Sequence, residues 1–209
     1  MHPLYDSLIQ MKALFPLLVV LFITGCISSD EPFYTEDSKI KDERLIGNYS
    51  DKSSSTSVTI TENQNGGEDY KIELKTNDGV IILNGTLFKM DDHSYIDLII
   101  ESEDFAEQHL SPVPSGTDIL KRIFIPKRHV IFGLEVNDES LTFRGNDHLA
   151  LQNFKDNYIW KLKSIDLLKR IQIEEDLIHI PGDPELFLPT INEAYFKGDI
   201  FQKTETLSK

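Results

Sequence analysis

Cysteine is all but missing from this chain. Cys26 is the one thiol in 209 residues, so no disulfide can form within the chain and its stability has to come from a packed core. Positive charge is scarce as well. Lys and Arg number 21 against 35 Asp and Glu, for a formal net charge of −14 and a pI near 4.8. That balance argues against nucleic acid as a partner and against electrostatic adhesion to anionic lipid. Long apolar runs are lacking too. The run from Ala13 to Ile23 falls short of the roughly 20 residues that span a bilayer as a helix. No His-Glu-x-x-His, no Cys/His ligand pair, no Gly-x-Ser-x-Gly elbow and no Gly-rich loop after a strand occurs, so no metal, cofactor or known hydrolase frame is expected. No internal repeat is visible.

The segment Met11–Cys26, MKALFPLLVVLFITGC, is what stands out. Lys12 starts it, the short apolar run follows, and Thr24-Gly25-Cys26 ends it, which is the architecture of a secretory signal. The cysteine set directly after small residues resembles the lipobox of bacterial lipoproteins. That resemblance implies cleavage between Gly25 and Cys26, a lipid on the Cys26 thiol with palmitate among its acyl chains, and a mature chain held to a membrane. Two or more acyl chains make such attachment stable at about 0.8 kcal/mol per buried CH₂. A buried core thiol and a transmembrane anchor are the alternatives at Cys26. Ile27 stands where aspartate marks inner-membrane retention in the enteric sorting pattern, which implies the outer membrane, facing the periplasm. Met1–Gln10 carries Asp6 and neither Lys nor Arg, a poor start for a signal, so translation is expected to begin at Met11.

Beyond a signal at 1–25, residues 26–43 read as a lipidated, flexible tether, because ISSDEPFYTEDSKIKDE is polar, acidic and aperiodic. Residues 44–201 read as one globular domain. Its first part, about 44–144, is a meander. Val58 and Ile60, then Tyr70, Ile72 and Leu74, alternate with polar residues. Asn65-Gly66-Gly67 and Asn77-Asp78-Gly79 supply hairpin turns. Strands are expected at Val80–Met90, Tyr95–Ile100, Arg122–Ile125, His129–Val136 and Ser140–Phe143. An irregular loop with a short helical turn is expected between 104 and 118.

The second part, about 146–201, is helical. Asn146 or Asp147 caps a helix through Phe154, and a second helical segment spans Ser164 to Ile171. After a short strand at Leu177–Ile180, Asp183-Pro184-Glu185 opens a last helix that Pro189 should distort or restart. Residues 202–209 read as a frayed tail. The fold class expected is α+β, mainly antiparallel β: a curved sheet or barrel-like meander followed by a small helical C-terminal portion.

Leu45-Ile46-Gly47-Asn48-Tyr49-Ser50 resembles the Gly-x-Trp opening of lipocalin-type barrels, with Tyr49 in place of tryptophan. His129–Leu134, Leu141–Phe143 and Asp147–Phe154 are together similar to a strand–strand–helix layout in small envelope lipoproteins of no assigned activity. That resemblance implies a fold and a location, and no mechanism.

Candidate chemistry is thin. Asp91-Asp92-His93 is the tight polar cluster, and a solvated hairpin turn explains it better than a metal site. His129, in an apolar strand, reads as a satisfied core or edge residue. Phe124, Phe132, Phe143, Phe154, Tyr158 and Trp160 gather where sheet should meet helices, as a joint core or as an apolar ligand cavity. Three functions remain: a non-enzymatic envelope module that binds a protein partner or apolar ligand, a hydrolase without a recognisable motif, and an accessory subunit of an envelope complex.

Overall fold

The computed structural model describes residues 26–50, 57–63, 69–76, 79–100, 128–163, 171–173 and 177–209. In chain order the strands are β1 (Cys26–Ser29), β2 (Gly47–Ser50), β3 (Ser57–Glu62), β4 (Asp69–Thr76), β5 (Gly79–Met90), β6 (His93–Ile100), β7 (His129–Val136) and β8 (Ser140–Gly145). Helix α1 (His148–Lys163), β9 (Gln172–Ile173), β10 (Leu177–His179), helix α2 (Pro184–Phe196) and β11 (Lys203–Ser208) complete them. Among the described residues, β2 to β8 and β11 close into an eight-stranded antiparallel barrel.

Alternation makes this barrel. Tyr49, Val58, Ile60, Tyr70, Ile72, Leu87, Ile96, Leu98, Val130, Phe132, Leu134, Leu141, Phe143 and Leu207 all enter one buried interior cluster. Residues between them, such as Thr59, Lys71 and Glu73, face outward, as the pleat requires. A Cβ on Gly85 would lie 2.7 Å from Ile72 Cδ1 and 3.1 Å from Ile96 Cδ1, so the interior leaves that position room for hydrogen only. Consecutive hairpins join β2 through β6, and β6 then pairs with β7 from Tyr95↔Gly133 to Leu98↔Val130.

The closing strand is the segment expected to fray. Residues 203–208 lie in register with β8 from Lys203↔Gly145 to Ser208↔Ser140, and Ser208 also meets Ser50 of β2. Lys209 stitches the seam: its backbone N–H donates to Glu139 O at 2.9 Å and its Nζ to Arg44 O at 3.0 Å. The strand KTETLS holds a single apolar residue, Leu207, so its partner supplies the order that its own pattern lacks. Both wall and seam are therefore complete, and the curved sheet is a closed barrel.

The expected tether is likewise part of the fold. On the edge away from β6, β7 serves two partners: its end, Gly133–Val136, pairs with β8, and its start, His129 and Val130, pairs with Ser29 and Ser28 of β1. β1 continues parallel to β10, and β10 pairs with β9, forming a small wing on the barrel. Ile27 and Phe33 are fully buried, and burial of each such side chain contributes about 1.5–3 kcal/mol. Further along, Ile40 N donates to Leu87 O at 2.9 Å, and Asp42 N to the Tyr70 hydroxyl at 2.8 Å. Two apolar anchors and a few backbone donors outweigh an acidic, disordered-looking composition.

Both helices lie on the outside of β5–β7. Asp147 is the cap of α1, its Oδ1 accepting from Ala150 N at 2.8 Å, whereas Asn146 Oδ1 accepts from Phe201 N at 2.6 Å. Leu151, Phe154, Tyr158, Ile159 and Leu162 form the buried stripe of α1. Asp183 caps α2, accepting from Glu185 N at 2.9 Å. Helix α2 does not restart at Pro189 but runs on through it. The ring is exposed, and apolar anchoring by Phe187, Leu188 and Ile191 holds the helix across the missing N–H. The strand expected at Arg122–Ile125, the loop at 104–118 and most of the helical segment at 164–171 lie outside the described residues; Ile171 itself is not helical. No helix among the described residues is long and apolar enough to cross a membrane.

Candidate functional site

Strand alternation separates the aromatic residues that the sequence suggested as one group. Phe132 and Phe143 point into the barrel. Phe154 and Tyr158 belong to a second core between the barrel wall and the helices, with Phe33, Phe88, Tyr95, Phe187 and Phe201. Trp160 is 63% exposed. Phe124 and Gly25 lie outside the described residues. The odd–even rule does this: Phe132 faces inward, so its neighbour Ile131 faces the helices. The five of them among the described residues therefore line no common cavity.

What the outer face of β6 and β7 holds instead is polar and buried. Asp97 sits in the run Ile96-Asp97-Leu98-Ile99, and its side chain is almost wholly covered. Its Oδ2 accepts from Phe33 N at 3.0 Å and lies 2.9 Å from His129 Nδ1. Oδ1 has no hydrogen-bond partner among the described residues. Burial pushes the Asp97 carboxyl above the usual carboxylate range, against the pull of His129 and of the Phe33 N–H. Beside it, Thr86 donates to Asp69 Oδ1 at 2.6 Å, and Tyr34 shares a hydrogen bond with Thr86. Lys39 lies 4.7 Å from the centre of the Tyr34 ring. This cluster fastens the N-terminal segment 30–40 to the barrel wall.

A second histidine lies in the wing, on the other face of the sheet. Ser28 Oγ stands 3.1 Å from His179 Nδ1, and Asp30 Oδ1 stands 3.3 Å from His179 Nε2. Burial, followed by the nearby Arg128 charge, lowers the His179 pKa. The residue types are those of a hydrolase triad, yet Ser28 is fully buried, so no substrate carbonyl can reach its hydroxyl. The carboxylate and serine also take the opposite imidazole nitrogens from those of the serine-protease arrangement.

Asp91-Asp92-His93 forms the β5–β6 turn. Asp91, at φ 51, accepts from Asn192 Nδ2 of α2 at 2.5 Å, and the His93 ring packs at a tilt against that of Tyr195, centroids 4.5 Å apart. The cluster thus ties the hairpin to a helix. Nearby, Lys161 and Lys197 each lie 2.7 Å from Glu193 and hold its pKa at about 2, well below the usual range. No group of three or more potential metal ligands occurs among the described residues. A groove of about 490 Å³ between 31–35 and the start of α2 is lined by Glu31, Pro32, Tyr34, Thr35, Gly182, Asp183 and Glu185.

Cys26 is the first residue of β1, its Cα in register with Leu177 of β10. Sequence reasoning passed over Asp97 and His179. A lone carboxylate amid five apolar-strand positions was the available signal, since a buried charge demands a partner. Nothing local marked His179. No protein-family model, curated protein or solved structure matches the chain.

Proposed function

We propose that this protein is a lipoprotein of the cell envelope, acylated on Cys26, that serves as a non-enzymatic accessory module on the periplasmic face of the outer membrane and binds a protein partner there. The observation that carries the reading is the signal-and-lipobox sequence LFITGC ending at Cys26. Two features of the fold support it. Both histidine–carboxylate pairs are spent on fastening segments together: the almost wholly covered Asp97 pair on 30–40, and the pair of buried His179 with the exposed Asp30 on β1. The inward side chains of the barrel, with Tyr49, Tyr70, Phe132 and Phe143 among them, are buried against one another, which favours a packed core over a carrier's cavity. Leu149, Trp160 and Phe196 are exposed and offer apolar contacts to a partner.

The test is a tagged wild-type protein beside its Cys26→Ser variant, each expressed with radiolabelled palmitate and then captured from gently solubilised membranes. Label on the wild type alone, together with a stoichiometric envelope protein that the variant lacks, is the expected result. Unlabelled wild-type protein would refute the reading.

A further inference from the structure

We infer that the β1–β10–β9 wing rests against the lipid headgroups, with Ile173 at the contact; this builds on acylation of Cys26. Cys26 pairs with Leu177, and within three residues Ser28 and Ser29 pair with β7. Ile27, Ser28 and Ser29 are fully buried. No free chain therefore separates the lipid-bearing residue from the barrel.

A bilayer of about 40–45 Å surrounds a hydrocarbon core of about 30 Å, leaving a headgroup layer of roughly 5–8 Å on each side. A lipid on the Cys26 thiol keeps that residue in or beside this layer. Neighbouring strands lie about 4.8 Å apart. The register sets Ile27, Ile178 and Ile173 in one row across the wing, so Ile173 stands about 10 Å from Ile27, and with the wing lying along the bilayer surface it shares the layer. Ile27 and Ile178 in that row are covered, whereas Ile173 is 40% exposed, on the outermost strand of the sheet. The occupant is the bilayer, because the acyl chains bring it to this edge. The charge of −14 makes the contact apolar rather than electrostatic. To stand off the membrane, β1 would have to leave both of its partners and uncover Ile27 and Phe33.

The test uses purified, lipidated Trp160→Phe/Ile173→Trp protein, whose introduced indole is then the sole tryptophan, since the chain has one. It is reconstituted into phosphatidylcholine vesicles with or without bromine on the upper acyl chain. Quenching of the tryptophan emission of I173W by the brominated lipid is expected; equal emission from the two vesicle types overturns the placement. Amide hydrogen exchange provides a measurement without substitution. Gln172 and Ile173 should exchange more slowly in vesicle-bound wild-type protein than in soluble Cys26→Ser protein, and unchanged exchange counts against the contact. Intact mass separates the two ideas. Acylated protein with unquenched emission overturns only the placement, whereas protein without acyl mass overturns the proposed function as well.

Discussion

The two cores of this protein are built by different rules. The barrel interior takes one residue in two along its strands, and its core cluster is aliphatic and aromatic. The outer core is assembled from the N-terminal segment, the outward faces of β5–β7, both helices and the chain after α2. It is rich in rings: Tyr95 stacks on Phe88 at 5.5 Å and meets Tyr195 and Phe201 edge-on at 5.6 and 6.0 Å. It also contains the buried carboxylate Asp97. Period-two patterning builds the first core from neighbouring hairpins, while the second depends on contacts between residues far apart in sequence. The outer core is accordingly where local reading of the chain fails.

The largest expected effect tests whether that outer core bears structural weight. Phe187 is fully buried between helix and barrel, and Phe187→Ala should cost about 3–5 kcal/mol in urea unfolding. A loss under about 1 kcal/mol would mean that the helices merely rest on the barrel. Next in size is the closing strand. Leu207→Ala should cost about 2–4 kcal/mol, whereas a frayed tail would show no change beyond about 0.5 kcal/mol.

The smallest effect sharpens the contrast by pH. The Asp97 pKa is raised on folding because burial disfavours its charge. An acid with a raised folded pKa stabilises the fold below its unfolded pKa, and that stability is lost as pH rises through the folded value. Asp97→Asn removes the dependence. Unfolding measured from pH 4 to pH 8 should therefore show the variant gaining on the wild type as pH rises. A wild type that gains on the variant would reverse the assignment.

Much of the barrel was legible. The strands at Val58–Ile60, Tyr70–Leu74, Val80–Met90, Tyr95–Ile100, His129–Val136 and Ser140–Phe143 all lie in observed strands. The caps Asp147 and Asp183 are where capping chemistry puts them. The docked segment 26–45 and the strand at 203–208 were not legible. Ile27, the pair Phe33-Tyr34 and Leu207 are short apolar islands among mostly polar residues, so no window of sequence shows a period. The five described aromatics of the group were divided because Phe132 and Phe143 take the inward face of their strands, whereas Phe154 and Tyr158 sit on a helix packed against the outward face and Trp160 points to solvent.

By itself, the sequence determined the hairpin strands, the helix starts and the signal-like segment before Cys26, since each depends on residues a few positions apart. Tertiary structure alone decided that the barrel closes through β11, that β1 is held between β7 and β10, and that Asp97 meets His129. Each of these pairs groups from 32 to more than 150 positions apart, and their energy exists only once the chain between them has folded. Local periodicity carries no record of which distant edge or buried charge will find which partner.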